Sequence, residues 1–279
     1  MNFKIDHVTF GVRRLHTMVN AFTSAGLTPD YGGPHSNGVS HMSLLAFDDG
    51  SYIELISTLR TAETAPTWGE FIREDGGACA WAVETNDIHA EATRLSSQNV
   101  TVVGPRQVTR KRPDGVLVEW DLAFVGDDGP GALQPFLIQD RTPRSFRVQP
   151  SRSVSGSELC GVGMVLIGVR DLHAAANVFK RDYGLTDPRQ LTSRALETTL
   201  LAFPDAHLAL AAPAADGDWL DRRLQTFGNC PCGFVLRSID MHESLRRFDL
   251  ASDGLWLERE LAWFNTPGLR GLRLGVMSE

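Results

Sequence analysis

The chain contains no apolar run approaching the roughly 18 residues that a membrane span requires. Its opening, MNFKIDHVTF, enters a strand-like alternation without the charged start and apolar middle of a signal peptide. These two absences point to a cytoplasmic protein with no membrane partner. A basic excess is also missing: 27 Lys and Arg against 34 Asp and Glu leave a net charge of −7. That sign does not offset phosphate charge, so small molecules rather than nucleic acid are the expected partners. Cysteine is scarce, four in 279 residues. Cys79, Cys160, Cys230 and Cys232 fit neither a disulfide framework nor zinc-ligand spacing, and buried thiols are the expectation. The glycine-containing PHSNG segment at 34–38 lacks the Lys-Ser/Thr or Rossmann spacing of a nucleotide-binding loop.

What the chain does have is an internal repeat. GVRRLHTMVNAF, followed by GLTP and LLAF, returns past the middle as GVRDLHAAANVF, GLTDP and LLAF. Gly11 aligns with Gly168, Asn20 with Asn177 and Phe22 with Phe179 at a constant spacing of 157 residues. A repeat of this length is a duplicated folding unit, so function is sought in what differs between the copies. His7 and Glu54 in the first copy fall opposite Met164 and Leu210 in the second.

Periodicity gives the unit. Lys4–Val12 alternates as a strand, and Leu15, Met18, Val19 and Phe22 recur at helical spacing up to Gly26. A loop over Tyr31–Gly38 follows, then strands over Met42–Phe47 and Ser51–Ser57 around Asp48-Asp49-Gly50. The order recurs more faintly from Cys79, with a strand at Ala80–Val83, a helix at Asp87–Leu95 and strands at Val116–Val125 and Gln134–Ile138. A third unit starts near Val162 and a fourth at Phe234, the latter with a helix over Met241–Leu250. Short helices are expected within Thr61–Asp75 and Pro213–Gly228. The result is an α+β chain of four βαβββ modules paired into two domains, residues 1–143 and 159–279. A Pro-, Ser- and Arg-containing linker at 144–158 reads as a solvated connector.

Paired βαβββ units opening on DHVTFGV and closing on YIEL resemble the vicinal oxygen chelate superfamily, which includes glyoxalase I, extradiol dioxygenases and bleomycin-resistance proteins. More narrowly, DHVTFGVRRL, SHMSLLAFDDGSYIELIS, RKRPDGVLVEW and QPFLIQ resemble the glyoxalase-like domain family over residues 3 to about 140. The resemblance implies that two modules curl into a cup and that a divalent metal (Zn, Mn, Fe or Ni) binds inside it. A histidine on a module's first strand and a glutamate on its last strand supply ligands, which by position are His7 and Glu54. Glu54 is then also the candidate catalytic group.

Alternation agrees with this assignment. Val8, Phe10, Ile53 and Leu55 form an apolar set for the helix side, leaving His7, Thr9, Tyr52 and Glu54 to the cup. A glutamate inside a cup is costly unless paired or metal-bound. Setting Leu45 opposite Glu54 places His41 on the same face as a substrate-facing or rim residue. Tyr52, Arg112 and Trp120 are further substrate-binding candidates, Arg112 as a planar fork for a carboxylate or phosphate and Trp120 as a wall.

The second module offers only Ala78, Cys79, Ala80 and Phe136 at the ligand positions, so the glyoxalase I pattern of two ligands per module is broken. A second histidine for a 2-His-1-carboxylate set has no evident position. Two functions follow as expectations: a metal-dependent lyase or dioxygenase-type enzyme acting on a small oxygenated substrate, or a metal-free small-molecule sequestering protein of the bleomycin-resistance type. The second pair of modules, with its ligand residues lost, is expected to be structural or to form a homodimer.

Overall fold

The strands that open the modules are buried along most of their length, because each lies at the centre of a sheet with packed faces on both sides. In the computed structural model, which describes residues 3–279, the first of them is β1 (Ile5–Gly11), buried at every position. It is followed by α1 (Leu15–Ser24), β2 (Asp30–Pro34), β3 (Ser40–Ala46) and β4 (Tyr52–Thr58). After the short helix α2 (Gly69–Arg73) come β5 (Gly77–Glu84), α3 (Ile88–Ser97), β6 (Val102–Lys111), β7 (Leu117–Val125) and β8 (Phe136–Asp140). Helix α4 (Arg144–Arg147) leads to β9 (Leu159–Gly168), α5 (Leu172–Tyr183), β10 (Arg189–Ser193), β11 (Thr198–Phe203) and β12 (Leu208–Ala211). Helix α6 (Trp219–Phe227) precedes β13 (Cys230–Ser238), α7 (Met241–Arg247), β14 (Leu250–Trp256), β15 (Arg259–Phe264) and β16 (Leu274–Ser278).

The four βαβββ modules are therefore present, paired into two eight-stranded sheets. Their strand orders are β2-β3-β4-β1-β5-β8-β7-β6 and β10-β11-β12-β9-β13-β16-β15-β14. Four strands escaped the hydrophobic pattern: β2, inside the segment read as a loop, together with β6, β10 and β14. All are sheet edges and largely exposed; an edge strand with a wet face carries little apolar alternation. For the same reason the last helix is shorter than its pattern suggested, ending at Arg247 before β14 begins. No helix among the described residues is long and apolar enough to cross a membrane.

The glycines that mark the repeat have a packing cause. A Cβ on Gly11 would lie 2.9 Å from Phe71 Cβ of α2, and one on Gly168 would lie 2.7 Å from Leu220 Cδ1 of α6. Each connecting helix thus rests against the end of a module-opening strand.

The helix-side faces of both sheets share one continuous apolar core. Phe10 meets Phe234 edge-on at 4.9 Å, and Phe3 meets Tyr183 at 4.9 Å. Phe71 stacks on Phe227 at 4.2 Å. Polar ties cross the same boundary: Arg223 donates to the Gly76 and Ala78 carbonyls, and Gln134 to Asp182 at 3.0 Å. Cys79, Cys230 and Cys232 are buried free thiols, while Cys160 is half-buried.

Candidate functional site

Alternation along β1 and β4 brings the expected polar set to the inner face of the first sheet. The strands run parallel, with His7 opposite Tyr52 and Thr9 opposite Glu54. His7 and Glu54 are thus diagonal neighbours, and their side chains converge to 3.8 Å between Nε2 and Oε2. Thr9 Oγ1 donates to the same carboxylate oxygen at 3.3 Å. Both residues are buried, at 4% and 6% exposure. Val8, Phe10, Ile53 and Leu55 lie in the core on the other side.

His41 does not join them. The turn between β3 and β4 uses three residues, Asp48 to Gly50, so that Phe47 and Ser51 are bonded across it and Gly50 takes φ +85°. Leu44, not Leu45, then faces Glu54. A slip of one residue exchanges faces, and His41 lies outside the cup, with Nδ1 3.3 Å from the Tyr31 hydroxyl, in the lining of a separate cavity with Arg13 and His16. The histidine that does reach the cup is His35, which the sequence reading missed. Its Nε2 is 3.0 Å from Glu54 Oε1, and its Nδ1 is 2.9 Å from Ser40 Oγ. The signal was the Asn37-Gly38 pair: Asn37 Oδ1 accepts from the Val39 and Ser40 amides, and Gly38 has φ +68°. The chain folds back there, so His35 pairs with Ser40 on the cup face.

Burial pushes the Glu54 carboxyl up, but the hydrogen bond and charge of His35, then His7 and Arg110, outweigh it and bring its pKa down to about 2. Glu54 is a fixed anion across the working pH range.

A second carboxylate sits behind His7. The β1–β5 ladder is irregular between Ile5 and His7, and Asp6 there accepts from His7 Nδ1 at 2.6 Å. Asp6 is fully buried and is gripped by two arginines of α4: Arg147 at 2.9 and 2.6 Å, and Arg144. Burial raises the Asp6 carboxyl, yet the Arg147 charge and hydrogen bonds, with those of His7 and Arg144, hold it well below the usual carboxylate range. Arg147 also binds Asp140 at 2.6 Å and the Tyr52 hydroxyl at 2.9 Å. Segment 144–158 is therefore not a solvated connector at its start. It seals the back of the cup.

The remaining candidates divide. Tyr52 lines the cavity and stacks on the His7 ring at 4.6 Å, 12° from parallel. Burial holds its phenol protonated. Trp120 lines the same cavity, with Trp68, Leu122, Phe124, Phe136 and Ile138 completing an apolar wall opposite the polar one. This cup encloses about 380 Å³. Arg112 lies outside it, lining a neighbouring cavity of about 430 Å³, where it is bound to Asp114 at 2.6 Å and to the Phe146 carbonyl.

The cup of the second sheet is filled with Met164, Leu166, Leu200, Trp256 and Trp263. Met164 occupies the His7 position as expected, but Leu210 does not occupy that of Glu54. The β11–β12 turn is one residue longer, with Phe203 opposite Leu208, which turns Leu210 to the helix side. Ala209, paired with Leu166 as Glu54 is with Thr9, takes the inward place.

A catalytic metal of the kind the resemblance implies takes three protein ligands and keeps an open position. His7 Nε2 and Glu54 Oε2 converge, but His35 is spent on the second carboxylate oxygen as a hydrogen-bond donor. Among the described residues no group of three or more His, Cys, Asp or Glu side chains is arranged to hold an ion. The donors present do not fit a three-ligand centre.

Paired βαβββ modules in two curled sheets, with a polar cup on the central strands of one, define the vicinal oxygen chelate class. The family model described as "Glyoxalase-like domain" matches residues 5–157, more than half of the chain. The chain belongs to that family. A protein of Staphylococcus aureus described as hypothetical is similar over 99% of both chains at 17% identity, with a TM-score of 0.65. A mutant of 4-hydroxymandelate synthase from Streptomyces coelicolor is similar over 99% of this chain and 92% of its own (10% identity, TM-score 0.61). So is 2,2',3-trihydroxybiphenyl 1,2-dioxygenase from Sphingomonas wittichii, over 100% and 91% (14% identity, TM-score 0.55). These likenesses show the fold. No curated protein matches the sequence.

Proposed function

We propose that the N-terminal cup is the active site of a glyoxalase-like enzyme that moves a proton on a small oxygenated substrate, with His7 as base. The observation that carries this reading is the 2.6 Å contact between Asp6 and His7 Nδ1. An ionised Asp6 accepts from Nδ1–H, which fixes the tautomer and presents the Nε2 lone pair to the cavity. Tyr52 holds the ring plane. A C–H or O–H acid lying against Nε2 gives its proton there, and the imidazolium so formed stands between two carboxylates, Asp6 behind and Glu54 in front at 3.8 Å. The electron pair of the broken C–H bond passes into the adjacent carbonyl as an enolate, and return of the proton to the neighbouring carbon completes an isomerase-type transfer. Glu54, with a pKa near 2, serves as the electrostatic partner rather than the base.

The test is solvent-hydrogen exchange. A panel of small 2-oxo and 2-hydroxy acids is incubated with protein in D₂O and followed by NMR. Exchange at a carbon next to a carbonyl, abolished in His7→Gln and weakened in Asp6→Asn, is the expected result. No exchange with any compound, or exchange unaffected by His7→Gln, overturns the reading. Elemental analysis of the same preparation decides the metal: a stoichiometric ion lost in His7→Ala would replace it with the metal-dependent enzyme implied by the resemblance. The apolar wall of Trp68, Trp120 and Phe136 favours a second function, sequestration, in which ligands bind tightly without exchange.

A further inference from the structure

Two arginines are buried to 5% exposure among the described residues, Arg147 and Arg110. Their surroundings differ. Arg147 is matched by two carboxylates, Asp6 and Asp140. Arg110, on β6, has no carboxylate oxygen of the described residues within 4 Å. Its guanidinium donates instead to two main-chain carbonyls, Gly32 at 2.6 Å and Arg147 at 3.0 Å. Gly32 lies on the opposite edge strand of the same sheet, so this side chain bridges the two edges of the cup. The bare α-carbon of Gly32 permits the approach: a Cβ there would lie 3.3 Å from Arg110 Nη1.

A buried cation with no carboxylate in contact is costly for a fold to keep, and the Glu54 charge elsewhere in the cup offsets that cost only through space. Two neutral carbonyls orient the planar fork but bring no negative charge into contact with it, and its remaining N–H groups are free. Arg110 also stands at the boundary of the two cavities, lining both the cup and its neighbour. It shares the lining of the cup with Trp120, Phe124 and Phe136, and that of the neighbouring cavity with Arg112 and Arg152.

We propose that Arg110 anchors an oxyanion, a carboxylate or a phosphate, at one end of a ligand whose apolar body lies against the aromatic wall of the cup. The assignment rests on the cup being the ligand site, but not on proton transfer at His7. It moves the anion-holding role from Arg112, already committed to Asp114 and Phe146, to the arginine that has no carboxylate in contact.

The test is equilibrium binding, read by tryptophan fluorescence and calorimetry, with benzoate, phenyl phosphate and the neutral benzamide as probes. Wild-type protein is expected to bind at least one anion about tenfold or more tighter than benzamide, the order of one charge-assisted hydrogen-bonded contact. Whether benzoate or phenyl phosphate is favoured identifies the oxyanion. In Arg110→Met the anion affinity should fall about tenfold, to that of benzamide, with benzamide unchanged. In Arg110→Lys, which keeps the charge but loses the fork, it should fall several-fold. Benzamide binding as tightly as the anions, no saturable anion binding, or full anion affinity in Arg110→Met overturns the proposal. Should Arg110→Met fail to fold, undiminished affinity in Arg110→Lys overturns it. Anion binding that depends on Arg110 without hydrogen exchange would sink the His7 chemistry and leave this site standing.

Discussion

Replacing Asp6 with Asn tests the structural centre of the cup. The side chain is fully buried and accepts from His7 Nδ1, from both terminal nitrogens of Arg147 and from Arg144. Asparagine keeps the shape, but it removes the charge and turns an acceptor into an N–H₂ facing a guanidinium. Removing one partner of a buried ion pair costs about 3–5 kcal/mol. Arg147 retains Asp140 at 2.6 and 3.0 Å, so the lower end, about 3 kcal/mol, is expected. For a chain of this size that is a drop of roughly 6–12 °C in melting temperature.

Urea and thermal unfolding followed by circular dichroism give the number. The double variant Asp6→Asn/Arg147→Met should be less destabilised than the sum of its singles by about 1–3 kcal/mol, because the second change removes the charge the first left unmatched. A loss below about 1 kcal/mol in Asp6→Asn, or strict additivity in the double variant, refutes the view that the α4 arginines hold the back of the cup through this carboxylate.

Glu54 makes a pH prediction. Its folded pKa is depressed from 4.5 to about 2, so its contribution is full above pH 4.5 and is lost as pH falls toward 2. The amount is about 3 kcal/mol; wild type should lose that much more stability than Glu54→Gln between pH 4.5 and 2 in urea titrations. His35→Ala should raise the NMR titration midpoint of Glu54 by about one unit or more, whereas His41→Ala, on the far face, should leave it in place. Truncation after residue 158 should expose the helix-side core around Phe3, Phe10 and Trp81 that the second sheet covers. The fragment is expected to aggregate or bind a hydrophobic dye in gel filtration and fluorescence, and a soluble, folded monomer would contradict the shared core.

The sequence by itself determined the modules, because a repeat and strand alternation are local properties. Gly11 and Gly168, and the inward set His7, Thr9, Tyr52 and Glu54, follow from spacing alone, and the structure has them there. The failures share one physical origin. Turn length is not written in alternation, and a single residue exchanges the faces of a strand. The three-residue turn at Asp48–Gly50 sent His41 outward, the longer β11–β12 turn replaced Leu210 with Ala209, and the Asn37-Gly38 reversal brought in His35. The partners of Asp6 and the surroundings of Arg110 lay further beyond reach. Arg147 is 141 residues from Asp6, and Gly32 is 78 from Arg110. Only the curling of the sheet and the return of α4 across it decide which charges meet and which is left without a carboxylate in contact, since electrostatic pairing depends on distance in space and burial rather than on order along the chain.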